Sequence, residues 1–324
     1  MKSPSRDNGT KTDFRSSLLI KAGFGLTVVN VMVGLLGYVY QVFMGRMLDP
    51  AEFALFGALI GLFMFFSAPL GALSLVVTRQ VSALELQVNA SAKLRSFFFT
   101  LNKLFVGVGV LFLVIMFLSV DSLQQYLKTN DYIPLWLFSL ALVANSYLII
   151  CNAFLQGMKL FILLAASSLA GVIVKLVAGY ILVVVGFGVS GALAGMLVSF
   201  VFLLLFAIPI IVNILTKMNM GSIQGSTNFP WSTIIPVLIA NIAFAAMTQL
   251  DMVLVKHLLP AEQASVYYAA SILGKAILYL PGGIVLALFP IVASNDAKGQ
   301  SSSCLLYTSP SPRDRTRSRM PSSA

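Results

Sequence analysis

QVFMGRMLDPAEFALF, residues 41–56, returns as DMVLVKHLLPAEQASVYY, residues 251–268. Pro50, Ala51 and Glu52 are answered by Pro260, Ala261 and Glu262, and the base ahead of them, Arg46, is answered by Lys256. In each copy an apolar run leads into the Pro-Ala-Glu turn and a second apolar run leaves it. Each second run is broken by a proline, Pro69 in the first copy and Pro281 in the second. One hairpin of two hydrophobic segments is written twice. Repetition of this kind in a hydrophobic chain points to two related helix bundles around a shared site.

Working outward, composition fixes the class. Of 324 residues, 58% are hydrophobic and only 10% charged, with a mean hydropathy of +0.93. Soluble chains carry roughly 25% charged residues, so most of this surface is expected to face lipid. The formal net charge of +10 does not indicate nucleic acid, because the bases sit in short loops and at the termini, where they act as topology signals. Two cysteines, Cys151 and Cys304, exclude a disulfide framework, and the single histidine, His257, cannot build a metal site unaided.

An apolar run of about 20 residues crosses the hydrocarbon core once. Spans are expected at Leu18–Phe43, Phe53–Val77, Phe97–Ser119, Ile133–Phe154, Leu160–Val185, Val189–Leu215, Ile234–Val255 and Ala264–Val292. The expected fold is all-α and polytopic: a basic cytoplasmic tail over 1–16, a six-helix lobe over 17–215, a cytoplasmic linker over 216–230, and two helices opening a second lobe over 231–294. Residues 295–324 read as a disordered tail, and from about 301 their Ser/Pro/Arg-rich string resembles adapter sequence rather than protein. With the N-terminus in the cytoplasm, Lys2, Arg6, Lys11, Arg15, Arg79, Lys93, Arg95, Lys159, Lys217 and Lys298 collect inside, leaving Arg46, Lys128 and Lys256 outside. That asymmetry favours the orientation and puts both Pro-Ala-Glu turns on the outer side.

The stretches FMGRMLDPAEFALFGALIG, LVKHLLPAEQASVYYAAS and LPGGIVLALFPIVAS together resemble the polysaccharide-biosynthesis flippases of the multidrug/oligosaccharidyl-lipid/polysaccharide exporter superfamily. The resemblance covers about Ser17 to Ser294 and implies two six-helix lobes around a cavity that opens alternately to each side. By that measure the chain is expected to lack the rest of its second lobe. The resemblance further implies a bacterial inner-membrane protein flipping a lipid-linked oligosaccharide for cell-surface polysaccharide synthesis. Membrane lipid, and a polysaccharide polymerase or glycosyltransferases, are the expected partners, with no cofactor and no nucleic acid.

Polar residues within the spans are the candidate site. Lys175 and Lys275 lie far from span ends, and a charge at such depth costs about 2.5–3.5 kcal/mol on insertion scales, so each should face a cavity or a partner. Two such ammonium groups suit a pyrophosphate or an acidic sugar; the competing reading is that each snorkels or pairs within the protein. Asn30, Asn145, Asn152, Asn241 and Gln249 are candidate cavity amides for sugar hydroxyls, or else join helices. Asp251 is expected to pair with Lys256 or Arg46 near the outer interface, or to act as a gate or ion site. Pro69, Pro281, Gly282 and Gly283 are candidate hinges. Gly57 with Gly61, and Gly191 with Gly195, read as close helix contacts.

Other classes fit less well. A cation-coupled small-molecule exporter of the same superfamily needs intramembrane acids, and Asp251 is the one candidate. A polyprenyl-phosphate transferase needs a carboxylate cluster or a loop histidine with an acid partner, and the chain is not expected to be an enzyme. No P-loop is present for a nucleotide.

Overall fold

The computed structural model describes residues 8–85, 90–217 and 231–277. Its helices are α1 (Asn8–Met47), α2 (Pro50–Glu85), α3 (Ala90–Leu127), α4 (Ile133–Gly157), α5 (Phe161–Leu182), α6 (Gly188–Lys217) and α7 (Trp231–Leu258), followed by a helix over 261–277, here α8. No strand occurs among the described residues. Six stretches are long and apolar enough to cross a membrane, and one of them, Phe161–Thr216, is 56 residues long. Val29–Ile277 form one compact unit; Met1–Val28 with Leu278–Ala324 form another, whose described part is the opening of α1.

Both Pro-Ala-Glu turns form as the repeat requires. In the first, Leu48 N–H donates to Met44 O at 3.0 Å and Phe53 N–H to Asp49 O at 2.8 Å. Pro50 opens α2, in the first turn, where an N–H has no intrahelical acceptor to lose. In the second, Leu259 N–H donates to Val255 O at 2.9 Å and Ala264 N–H to Pro260 O at 3.0 Å.

The long apolar stretch resolves into two spans. A π-helical turn at Val183–Phe187 joins α5 to α6, and the reversal needs backbone that side chains disfavour: φ is +103° at Gly186 and +51° at Gly188. Beyond the turn the two helices run antiparallel in close contact. A Cβ on Gly191 would lie 2.9 Å from the Leu182 carbonyl carbon, and one on Gly195 would lie 2.5 Å from Gly179 Cα. Further along, Ser199 Oγ donates to Gly171 O at 2.7 Å. Without side chains in the way the backbones approach, as membrane helices require where lipid supplies no hydrophobic drive.

The bundle thus has two distinct ends. At one, the turns cluster: the Glu52 carboxylate fills the space beside Gly188, and the His257 ring lies on Tyr126. At the other, α2 meets α4, with Thr78 Oγ1 donating to Ala153 O at 3.2 Å and Ser82 Oγ to Gly157 O at 2.9 Å. The core lies nearer the first end, where Tyr40, Met44, Phe53, Phe56, Leu59, Leu135, Phe138 and Tyr268 are all buried.

Several helices outrun their expected spans. α1 begins at Asn8 rather than after a 16-residue tail, and α2 and α3 reach Glu85 and Leu127 instead of ending near Val77 and Ser119. Hydropathy marks where lipid ends, whereas a helix stops only where its hydrogen bonding is broken.

Candidate functional site

The polar centre of the second repeat copy is built across the α7–α8 hairpin. A hairpin turning at 259–260 sets Asp251 opposite Tyr267, whose hydroxyl donates to Asp251 Oδ2 at 3.0 Å. Lys275 Nζ completes the group, 3.2 Å from Asp251 Oδ1 and 3.3 Å from Gln249 Oε1. The side chains of Lys275 and Asp251 are 22% and 27% exposed, so the pair is neither sealed off nor fully hydrated.

This geometry corrects the expected pairing. Asp251 engages Lys275, not Lys256 or Arg46. Residues 251 and 256 both belong to α7, and Lys256 turns into the packed face shared by Ala245, Gln249, Met252 and Val253. Arg46 lies exposed in the last turn of α1. Of the two readings of Lys275, a cation for an anionic cargo or a group paired within the protein, the structure has the second: it carries an internal counter-ion.

Lys175 differs. It sits on α5 against α1, its Nζ 5.0 Å from the centroid of the Tyr40 ring and 3.9 Å from where a Gly37 Cβ would stand. Tyr40 is fixed in turn, since its hydroxyl donates to Ala192 O at 2.6 Å and its ring meets Phe56 edge-on at 6.2 Å. An ammonium over an aromatic face gains about 0.5–2 kcal/mol, less than a counter-ion would give. No carboxylate pairs with Lys175 among the described residues. Among the described residues, Lys175 therefore has no carboxylate partner, whereas Lys275 has one.

The candidate amides do not gather around these lysines. Asn145 Nδ2 donates to Ser67 Oγ at 3.2 Å, joining α4 to α2, and Asn241 Nδ2 donates to Val237 O within its own helix at 2.9 Å. Gln249 is the amide that joins a lysine. Asn30 is exposed and Asn152 half-buried. Pro69 stands inside a continuous α2, while Pro281, Gly282 and Gly283 lie outside the described residues. Pro209 in α6 and Pro236 in α7 also lie within helices, and the repeat comparison passes over them. Tyr40 and Tyr267 carry no sequence signal of their own among the apolar and aromatic residues around them. Tyr267 was findable by counting back from the turn opposite Asp251; nothing in the spacing points to Tyr40.

The two copies meet where α2 packs on α7 and α8. A Cβ on Gly57 would lie 2.5 Å from Tyr268 Cγ, and one on Gly61 would lie 2.7 Å from Gln249 O. Tyr268 packs against Phe53 at 4.8 Å and Phe56 at 6.4 Å between centroids, and its buried hydroxyl has no hydrogen-bond partner. The most buried residues of α7, Ala245, Gln249, Met252, Val253 and Lys256, lie in the half nearest the turns. Ile235, Val237, Ile239, Ile242 and Phe244, in the other half, are exposed.

No protein-family model matches the chain, and no curated protein does. Solved structures share its fold. One is a MOP superfamily transporter from Pyrococcus furiosus Vc1 (DSM3638), described as having a binding pocket of reverse polarity that suggests a different function. It aligns at TM-score 0.60 and 16% identity over 86% of this chain and 65% of that one. Another is a multidrug resistance MATE family transporter of the MOP superfamily in an outward-facing conformation, at TM-score 0.59 and 17% identity over the same shares of each chain. The chain thus has the MOP transporter fold and spans about 65% of the length of these transporters.

Proposed function

We propose that this chain, with its MOP transporter fold, carries the first lobe and the opening hairpin of the second in an alternating-access transporter whose cargo is an anionic amphiphile, a polyprenyl-pyrophosphate-linked oligosaccharide. The observation that carries this reading is Lys175, a cation in the middle of α5 with an aromatic ring beside it and, among the described residues, no carboxylate paired with it. An ammonium without a carboxylate partner repels cationic drugs and attracts a pyrophosphate, which would supply the counter-charge that the Tyr40 ring does not. Description of one solved transporter of this fold as having reversed pocket polarity supports the idea that the fold accommodates cargoes of different charge.

A second reading has its own observation. Asp251 is a carboxylate within a span, and a multidrug transporter shares the fold, so a cation-coupled exporter would use Asp251 as its ion site. In the resting arrangement, however, Lys275 already occupies that carboxylate, and an ion would have to displace it.

The test is reconstitution in liposomes of the gene product that contains this chain. Flipping of a fluorescent polyprenyl-pyrophosphate oligosaccharide is read by quencher accessibility, beside gradient-driven uptake of a cationic dye. Lys175→Ala is expected to slow flipping by about tenfold or more and Lys175→Arg to keep most of it. Dye transport abolished by Asp251→Asn and indifferent to Lys175→Ala would replace the flippase reading with the exporter.

A further inference from the structure

The last turns of α3 and α7 belong to different repeat copies, yet one side chain joins them. His257, at the end of α7, lies flat on Tyr126 of α3, with ring centroids 4.1 Å apart and planes 3° from parallel. Its Nδ1 is 2.9 Å from Tyr126 O. A carbonyl can only accept, so Nδ1 carries the hydrogen. Carbonyls in the last turn of a helix have no intrahelical donor. The N–H groups that follow α3 go elsewhere, Lys128 N–H to Gln125 O and Thr129 N–H to Gln124 O, both at 3.2 Å. His257 supplies the donor for Tyr126 O, so a helix of the second copy caps a helix of the first.

The hairpin itself does not demand a histidine here. In the first copy the position that answers His257 is Met47, a partly buried residue packed against the core. The turn that follows forms in both copies. A methionine fills space but donates no hydrogen bond. The polar, directional contact is therefore particular to the second copy, and it points at the first. Contact between α3 and α7 is slight beside that between α2 and α7, so this join depends on few side chains. Such a contact is also weak enough to be made and broken in a working cycle, since one hydrogen bond and one aromatic stack each shift an equilibrium by about two- to tenfold. It sits at the turn-bearing end, where Tyr268 lies on Gly57 and the seam between the copies is tight.

We propose that His257 is a latch: it holds the hairpin of the second copy to α3 of the first while the turn-bearing end is closed, and releases Tyr126 when the copies part there. The latch presupposes alternating access but not the identity of the cargo, and it is separate from Lys175.

The experiment needs no transport assay. Nitroxide labels on Asn130→Cys, just past α3, and Gln263→Cys, just past the α7–α8 turn, both at exposed positions, are placed in an otherwise cysteine-free form of the gene product that contains this chain, in lipid nanodiscs. Double electron–electron resonance reads how the protein divides between a short, latched distance and a longer, parted one. His257→Ala is expected to raise the ratio of long to short about tenfold. His257→Phe, which can stack but not donate, and Tyr126→Leu, which keeps the carbonyl but loses the stack, should each raise it severalfold. Tyr126→Leu added to His257→Ala should change nothing further, because the two act through one contact. Should His257→Ala fail to fold, Tyr126→Leu decides by itself. Two distances whose ratio ignores both residues overturn the latch alone, even if the variants melt at lower temperature, because the contact is then only structural. A single distance in the parent and in every variant overturns alternating access, and the latch with it.

Discussion

At the scale of single residues, the chain treats its two deep lysines oppositely, and their variants should separate accordingly. Asp251→Asn strips Lys275 of its counter-ion. Because both side chains are about a quarter exposed, the cost should be about 1–2 kcal/mol, below the 3–5 of a sealed pair. Adding Lys275→Met should recover part of that loss, and a double-mutant cycle on thermal unfolding in detergent measures the coupling. Tyr267→Phe, which removes one hydrogen bond to the same carboxylate, should cost about 0.5–1.5 kcal/mol. Such deep charges were legible in the sequence because any charge within a span draws attention. Their partners were not. Choosing between Lys256 and Lys275 for Asp251 requires the rotation of α7 about its axis, and periodicity cannot supply it where lipid-facing and protein-facing residues are equally apolar.

At the scale of elements, the first Pro-Ala-Glu turn does more than reverse the chain. Glu52 lies against Gly188, so the α1–α2 turn is seated on the start of α6. Gly188→Ala meets both the carboxylate and an unfavourable φ of +51° and should cost about 1–3 kcal/mol. Glu52→Ala in the same chain should relieve the steric share and leave the backbone share, which a comparison of the three melting temperatures would show. Gly195→Leu has no such relief, because the obstacle is the Gly179 backbone; the α5–α6 pair should separate, read as loss of folded protein on gel filtration. These elements were largely legible in advance. Runs of apolar residues predicted the spans up to α7, the eighth expected span running past residue 277 and so outside the described residues, and the small-residue pairs at Gly57/Gly61 and Gly191/Gly195 predicted close contacts that are present. The ends were not legible, because α1, α2 and α3 continue as helix through polar residues that hydropathy counts as loop.

For the whole molecule, the decisive contact is the seam of α2 with α7 and α8. It is tight near the turns, where Tyr268 lies on Gly57, and looser along Ile235–Phe244, where most residues of α7 are exposed. An interface closed at one end suits a transporter that must part there to expose its other side. Replacing Gly57 and Tyr268 by cysteine, with Cys151→Ala and Cys304→Ala as background, puts two Cβ atoms near disulfide distance, about 3.5–4.5 Å. Oxidation should then stop transport and reductant restore it. Transport continuing through a complete crosslink would show that this seam never opens. Tyr268, whose hydroxyl has no partner in this arrangement, leaves a polar group unpaid while the seam is shut, a cost of about 1–3 kcal/mol that opening to water would remove.

The α5–α6 hairpin bears on biogenesis. From Leu176 to Thr216 the chain carries no charged residue, so the turn at Gly186–Gly188 offers the insertion machinery no signal to hold it on either side of the bilayer. The bases that frame the hairpin are Lys159, before α5, and Lys217, at the end of α6. The two helices must therefore enter the membrane as a pair, and a lysine introduced at Phe187 would set the two ends of one hairpin competing for the same compartment.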